Sequence, residues 1–123
     1  MNYSRPQSLK DLAERVLAGA SADLALGNFL DEFYLHPSME MLLEEPPRTG
    51  RPITDCYLAA TAVELGATFF GKSPRWASSP DRHLTEPHFG FTTPLGRAYA
   101  LIATPSAFRE RNLFIGEDAL KRA

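Results

Sequence analysis

The sequence predicts an all-α fold, a single compact bundle of about five or six short helices with an ordered proline-rich loop at residues 72–94. Three observations support this fold class. Apolar side chains recur three and four residues apart over most of the chain, as they do on the buried face of a helix. No segment shows a strand-length alternation of apolar and polar residues. The four prolines within residues 72–94 argue against a long regular element there.

Two helices are predicted in the first third of the chain. The first begins after Ser8, whose hydroxyl can cap a helix, and Asp11 stands where the second residue of a capping box is expected. Gly19 ends this helix. The second helix covers about residues 22–35 with Ser21 as its cap, because its apolar residues fall on one face and its charged residues on the other.

A central helix is predicted in the middle of the chain, after a short helical piece at residues 39–44. Thr54 or Asp55 caps it, and it continues to about Phe70, where Gly71 terminates it. Its apolar residues line two sides of the helix. Because such a helix usually packs on several neighbours, we expect it at the centre of the bundle.

The loop at residues 72–94 is predicted to be ordered in spite of its prolines. Large apolar side chains are spread through it, which is typical of a segment that packs on the core. These side chains are Trp76, Leu84, Phe89 and Phe91. A short helix is predicted at residues 80–84, with Ser79 as its cap.

The remaining residues are predicted to be helical with one interruption. Thr93 caps a helix at residues 94–103. A short helix at residues 105–112 precedes an apolar plug at residues 113–115, and a last helical turn covers residues 117–122. The predicted inner face of the helix at 94–103 consists of Leu95, Ala98, Tyr99 and Ile102.

Composition predicts one cytoplasmic domain that spans residues 1–123. The single cysteine excludes an internal disulfide and is typical of a reducing compartment. The first six residues contain no apolar segment of a signal peptide, and no apolar run is long enough to cross a membrane. No cofactor is expected, and the apolar helices are equally compatible with a monomer and a homo-oligomer.

Charge is divided unevenly between the two parts of the chain. Residues 1–70 contain ten acidic and five basic residues, a net charge of −5, whereas residues 71–123 contain five acidic and eight basic residues, a net charge of +3. Either the two parts attract each other within one fold, or a basic surface binds an anionic partner such as a nucleic acid. The second alternative predicts one exposed surface of Arg75, Arg82, Arg97, Arg109 and Arg111.

Two sets of residues are candidates for chemistry. Cys56 lies near the start of the predicted central helix, where a thiolate would be favoured, but a buried cysteine commonly acts as a small apolar side chain. His83, Glu86 and His88 carry the ligand types of zinc or manganese sites. Their spacing matches no standard metal motif, which favours histidines of a surface loop.

Five residues are candidates for partner binding. Trp76 is of the type that dominates interface hot spots, although burial in the core is an alternative for it. Arg109 and Arg111 diverge on a helix, so that one can turn inward to bond carbonyl groups or a carboxylate; alternatively, both bind phosphate or acidic groups of a partner. Asn112 can leave the helix in a left-handed conformation, and Arg122 can bind acidic groups of a partner.

Several segments are similar to one group of bacterial proteins. Residues 105–115, PSAFRERNLFI, and residues 120–123, LKRA, resemble the C-termini of small bacterial proteins found in toxin–antitoxin-like gene pairs. Residues 55–60, DCYLAA, and 86–89, EPHF, also resemble segments of these proteins, in which Trp more often stands at the position of His88. The resemblance spans residues 25–123. It implies a nucleotidyltransferase-like protein partner and no catalytic residue.

Three functions follow as hypotheses. The leading one is a non-enzymatic, antitoxin-like protein that binds another protein. The second is a small-ligand or metal-dependent enzyme that uses the loop at residues 76–91, and the third is nucleic-acid binding through the basic C-terminal part.

Overall fold

The computed structural model describes residues 4–122 and confirms the all-α class. Residues 1–3, part of the segment in which no signal peptide is predicted, and residue 123 lie outside the described range. The helices of the described residues are α1 (Leu9–Leu17), α2 (Ala22–Leu35), α3 (Glu40–Leu43), α4 (Pro52–Phe70), α5 (Pro94–Ala103) and α6 (Ser106–Arg109). Two strands of two residues each, β1 (His88–Phe89) and β2 (Leu113–Phe114), pair in parallel with His88 opposite Leu113.

The first two helices begin at the predicted caps. The Ser8 hydroxyl accepts a hydrogen bond from the Asp11 N–H at 2.9 Å, and the Ser21 hydroxyl accepts one from the Leu24 N–H at 3.3 Å. The Asp11 carboxylate accepts from the N–H of Gln7, one residue before the cap. These bonds satisfy N–H groups that a helix leaves without partners at its start.

The core lies around α4, as predicted for the central helix. α1 packs on α2, while α4 packs on the loop at 72–94, on α6 and on β2. The α2 and α4 helices meet at their C-terminal ends. There the Phe33 ring makes edge-to-face contacts with the rings of Phe69 and Phe70, with centroids 5.2 and 6.2 Å apart. The largest fully buried apolar side chains are Phe29, Phe33, Phe108, Leu9, Leu12, Leu42, Leu58 and Leu113.

The predicted cap of the central helix is wrong. α4 begins at Pro52, ahead of Thr54 and Asp55, because proline favours the first turn of a helix, where its missing N–H removes no bond. The buried Asp55 carboxylate instead accepts hydrogen bonds from the N–H and the hydroxyl of Thr49, at 2.9 and 2.8 Å. Gly71 ends the helix in the left-handed conformation, φ 69°, as predicted.

Side chains hold the proline-rich loop in place. It forms two short 3₁₀ turns, Arg75–Ser78 and Pro80–Arg82, the second of which replaces the predicted helix at 80–84. The Trp76 indole N–H donates to the Leu42 carbonyl at 2.9 Å. The fully buried Arg82 side chain lies over the Trp76 ring and donates to the carbonyls of Asp55 and Pro46. These bonds tie the loop to the end of α3, to the start of α4 and to Pro46 between them, and the loop is ordered as predicted.

The segment after α6 also bonds to this loop. The buried Arg111 guanidinium donates to the carbonyls of Ala107 and Ala77, each at 2.9 Å. Asn112 adopts the predicted left-handed conformation, φ 63°, and its amide donates to the Leu84 carbonyl at 2.8 Å. The expectation of no strand is corrected by β1 and β2, which are too short for an alternation of side chains to be visible in the sequence.

Two predictions for the last third of the chain are also wrong. Residues 117–120 form a turn in place of a helix, and the hydroxyls of Tyr57 and Tyr34 donate to the carbonyls of Ala119 and Leu120, each at 2.6 Å. α5 forms at its predicted place with the Thr93 hydroxyl as cap. Its predicted inner face, however, points to solvent.

Candidate protein-interaction surface

The α5 helix is oriented with its large apolar side chains outward. Leu95 is 82% exposed, Ile102 is 81% exposed and Tyr99 is 40% exposed, whereas Ala100 is fully buried. Ala98 is exposed as well. We call Leu95, Ala98, Tyr99 and Ile102 the α5 face, since they lie at positions i, i+3, i+4 and i+7 and therefore on one side of the helix.

Small residues on the opposite side explain this orientation. Gly96, Ala100 and Ala103 recur at four- and three-residue spacing and point toward the protein, and none is exposed. A Cβ atom at Gly96 would lie only 2.9 Å from the Phe91 Cβ and from the Thr93 hydroxyl oxygen. Gly96 therefore lies tightly against the segment that leads into α5, and this side of the helix, which includes the fully buried Ala100, is the inward one.

Contacts at the edges of α5 fix it in this position. The Tyr99 ring meets the Phe91 ring edge-on, with centroids 5.7 Å apart. The Thr104 hydroxyl, just after the helix, accepts a hydrogen bond from the Gly116 N–H at 2.8 Å. Gly116 has a positive φ of 87°, so the chain turns there close beneath the Tyr99 ring.

The α5 face carries no charge. Arg97 is the single charged residue of residues 94–103. Its side chain turns away from the face, donates to the Phe91 carbonyl at 3.2 Å and lies over the Phe89 ring at 5.5 Å. The face is therefore an uncharged apolar stripe, and each large side chain that it buries in a complex contributes about 1.5–3 kcal/mol.

Other exposed apolar side chains do not form a comparable stripe on one helix. Leu17 on α1, Leu24 and Leu35 on α2, and Leu43 on α3 are more than half exposed, but the two leucines of α2 lie at opposite ends of that helix. Such isolated exposed leucines are ordinary in folded proteins. The α5 face is distinguished by the concentration of large apolar residues on one short helix.

A groove beside the C-terminal end of α2 has charged walls whose groups are mostly paired. It has a volume of about 730 Å³ and is lined by Arg5, Asp31, Tyr34, Leu35, Leu120, Lys121 and Arg122. The Arg122 guanidinium donates to both Asp31 carboxylate oxygens, at 2.9 and 3.1 Å, and Lys121 lies 3.2 Å from Asp118. Arg122 lowers the pKa of Asp31 through these hydrogen bonds. The groove thus offers little unpaired charge to a ligand.

Most of the residues predicted to bind a partner contact this chain itself. Trp76, Arg111 and Asn112 donate hydrogen bonds to backbone carbonyls, as described above, and Arg122 is paired with Asp31. Arg109 is exposed, and its side chain makes no hydrogen bond or ion pair with residues 4–122. The alternative in which one arginine turns inward to carbonyls is confirmed, with Arg111 as that residue.

The thiol of Cys56 is enclosed in the core. It is fully buried, and its sulfur lies 3.5 Å from the Arg111 carbonyl oxygen. Burial raises the pKa of this thiol to about 11, although the positive charge of Arg111 acts in the opposite direction. The lowered pKa expected from the helix N-terminus is therefore wrong, because desolvation of the thiolate outweighs it.

The histidine-containing loop forms no metal cluster within residues 4–122. No three His, Cys, Asp or Glu side chains in that range lie close enough together to hold one ion. The His83 Nδ1 atom lies 3.1 Å from the Ser79 carbonyl oxygen, where its proton is donated, whereas Glu86 is exposed and His88 half-buried. His83 thus helps to fix the turn that precedes it.

The five arginines of the proposed nucleic-acid surface do not form one exposed patch. Arg82 is fully buried and Arg111 is 4% exposed, so neither reaches a phosphate backbone. Both donate to carbonyls of their own chain. Two of the eight basic residues in residues 71–123 are thus buried, where they hold backbone carbonyls in place.

Comparison with protein-family models, curated proteins and solved structures finds no match to this chain. In the range 4–122, no helix combines the length and the apolar character needed to span a membrane. The sequence alone does not place the α5 face at the surface, because this helix carries two apolar stripes, one of large and one of small residues. The stripe of Gly96, Ala100 and Ala103 is the signal that indicates the alternative orientation.

Proposed function

We propose that this protein is a non-enzymatic protein-binding module that uses the α5 face as its interaction surface. The observation that carries the proposal is the four-fifths exposure of Leu95 and Ile102 on one uncharged side of α5. Exposed apolar stripes of this kind are costly in water and mark sites of association. A helix that presents residues at i, i+3, i+4 and i+7 is a common recognition element between proteins.

The internal use of the other candidate residues supports this choice of surface. Buried Arg82 and Arg111 stabilise the loop, and Cys56 is enclosed. The α5 face, in contrast, has no role in the core of this chain. A helix whose large apolar side points outward is explained by a partner that covers it.

The resemblance of residues 105–115 to proteins of toxin–antitoxin-like gene pairs suggests which heterologous partner to test first. We propose a nucleotidyltransferase-like protein encoded beside this chain, with this chain as the antitoxin-like member of a cytoplasmic pair. The adjacent gene product is therefore the bait of choice.

Co-expression of the chain with the adjacent gene product, followed by affinity capture, tests the proposal. Ile102→Glu places a charge on one of the two most exposed residues of the α5 face, and we expect it to reduce retention of the partner at least about tenfold. Leu24→Glu is the matched control, because Leu24 is an exposed leucine on α2, 63% exposed, outside the α5 face. Equal retention by folded Ile102→Glu and Leu24→Glu would contradict the use of α5.

A further inference from the structure

The segment at residues 117–122 lies against a site built by α2 and α4. We call this segment the tail; it contains no helix or strand. The Leu120 side chain of the tail is 8% exposed and packs with the buried core. The Tyr57 hydroxyl of α4 and the Tyr34 hydroxyl of α2 each donate to a tail carbonyl, as described above. Two helices thus hold the tail by one apolar side chain and two successive carbonyls.

A glycine of α2 makes room for the arginine of the tail. Gly27 lies in the interior of α2, where glycine is less favourable than alanine. A Cβ atom there would lie 3.0–3.1 Å from atoms of the Arg122 guanidinium, closer than an ordinary van der Waals contact. The same guanidinium donates to both carboxylate oxygens of Asp31. Because Gly27, Asp31 and Tyr34 lie at positions i, i+4 and i+7, one side of α2 receives the tail.

The site contacts few features that are specific to the tail. Its partners are two backbone carbonyls, the leucine at 120 and the arginine at 122. Lys121 between them is exposed and pairs with Asp118 of the tail itself. Backbone carbonyls are common to all peptides, so any extended segment with arginine two residues after leucine can supply the same groups.

The connection between the tail and the rest of the chain is too short for an easy exchange between two copies. The Gly116 N–H is fixed by the Thr104 hydroxyl at 2.8 Å, and only two residues separate Gly116 from Ala119. Three extended residues span at most about 11 Å. A tail that reached a second copy would therefore need the two sites almost in contact. A segment of a different protein has no such restriction.

We infer that α2 and α4 form a peptide-recognition site that the tail occupies in cis, and that its ligand in trans is an extended segment of another protein with arginine two residues after leucine. The tail is an autoinhibitory ligand, because tethering gives it an effective concentration on the order of millimolar. A foreign segment binds when it replaces the tail. The inference goes beyond the proposed function and does not use the α5 face.

A synthetic peptide of residues 117–123, EDALKRA, labelled with a fluorophore, is the probe. Fluorescence anisotropy measures its binding to the full chain. Leu120→Asp removes the apolar anchor of the tail, and we expect this variant to bind the peptide at least about tenfold more tightly than wild type, because its own tail no longer competes. Leu43→Glu is the control, since Leu43 is an exposed leucine on α3, 51% exposed, outside the site. It is expected to bind the peptide as weakly as wild type.

Reversal of the ion pair tests how the site recognises arginine. In the Leu120→Asp chain, a peptide with Arg122→Glu is expected to bind at least about threefold more weakly than EDALKRA, because its glutamate faces Asp31. Asp31→Arg, added to the Leu120→Asp chain, is expected to invert this preference. Glu40→Arg makes the same change of net charge at an exposed residue of α3 and is expected to leave the preference unchanged.

Circular dichroism checks that Leu120→Asp keeps its helices. If it does not, Arg122→Glu takes its place, because the Arg122 side chain is 42% exposed and its exchange spares the core. The expected gain in peptide affinity is then at least about threefold.

A folded variant that binds the peptide no better than wild type, or an Asp31→Arg chain without the inverted preference, overturns the inference. A concentration-dependent dimer of the wild-type chain that Asp31→Arg abolishes assigns the site to a second copy and also overturns it. Ile102→Glu, on the α5 face, is expected to leave peptide binding unchanged. Failure of this inference is thus distinguishable from failure of the proposed function.

Discussion

The α4 and α5 helices have similar apolar sequences and opposite surroundings. α4 is 19 residues long and buries nine of them, whereas α5 is ten residues long and buries only Ala100. Each carries few charges: Asp55 and Glu64 on α4, and Arg97 on α5. The comparison teaches that apolar residues at helical spacing reveal a stripe on a helix, and that only its neighbours decide whether the stripe is buried.

The largest expected difference between the two helices concerns the same residue type. Leu58 on α4 is 2% exposed and Leu95 on α5 is 82% exposed. We expect Leu58→Ala to lower the free energy of unfolding by about 2–5 kcal/mol, because it leaves a cavity in the core. Leu95→Ala is expected to change it by less than about 0.5 kcal/mol. Urea unfolding of both variants at low protein concentration measures the difference, and equal losses would contradict the orientation of α5.

A second comparison uses the glycines of the two helices. A Cβ at Gly66 on α4 would overlap the Lys72 carbonyl oxygen, which is backbone, whereas a Cβ at Gly96 on α5 would lie 2.9 Å from the Phe91 Cβ and from the Thr93 hydroxyl oxygen. We expect Gly66→Ala to lower the free energy of unfolding by about 1–3 kcal/mol. Gly96→Ala is expected to lower it by about 0.5–2 kcal/mol, because its crowding is less severe and the gain in helix propensity offsets part of it. Thermal unfolding followed by circular dichroism checks both values, and a Gly66→Ala variant as stable as wild type would refute the close approach.

The arginines extend the comparison to polar groups. Arg111 is buried and donates to two carbonyls, whereas Arg109, two residues earlier, is exposed. Arg111→Met is expected to lower the free energy of unfolding by about 1–3 kcal/mol, because the buried carbonyls of Ala107 and Ala77 lose their donor. The loss is moderate because the variant also removes the desolvation cost of the buried charge. Arg109→Met is expected to change the free energy of unfolding by less than about 0.5 kcal/mol. Chemical denaturation distinguishes these variants, and an Arg111→Met variant without loss would show that these bonds contribute little.

The smallest expected effect is a dependence of stability on pH that originates in α4. The thiol of Cys56 has a pKa of about 11 in the folded chain because it is buried, against about 8.5 for an unfolded cysteine. Between about pH 8.5 and pH 11, therefore, the Cys56 thiol of the unfolded chain releases a proton that the thiol of the folded chain retains. Stability from this group is therefore complete below about pH 8.5 and falls as the pH rises toward 11.

We expect the wild-type chain to lose about 1–2 kcal/mol from this group between pH 8 and pH 10. Urea unfolding at both pH values measures the loss. Cys56→Ala removes the thiol and is expected to flatten the pH dependence in this range, whatever its own effect at pH 8. The same slope in both proteins would refute the contribution of Cys56. The Tyr57 hydroxyl, whose pKa burial raises to about 12, acts in the same direction at higher pH and is common to both proteins.

Much of the fold was predictable because its determinants are local. Ser8 and Ser21 cap helices with their own hydroxyls, and Gly71 ends α4 through its own backbone freedom. The left-handed turn at Asn112 is likewise a property of its residue type. Such features need no knowledge of distant residues.

The site was predictable only in part. The sequence indicates α5 and lists its large apolar residues, but it assigns them to the core. The hydrogen bond from Trp76 to the Leu42 carbonyl of α3 and the one from Arg111 to the Ala77 carbonyl of the loop each join residues 34 positions apart in the chain. Neither residue reveals by its type whether it binds its own chain or a partner.

The sequence by itself determined the starts of α1, α2 and α5, the end of α4 and which side chains share a helix face, because capping and helical periodicity act over a few residues. Tertiary structure alone decided which of the two apolar sides of α5 faces inward. That choice depends on contacts with distant residues: the Tyr99 ring packs on Phe91 and Gly116, and in this orientation Ala100 is fully buried while Leu95 and Ile102 remain about four-fifths exposed.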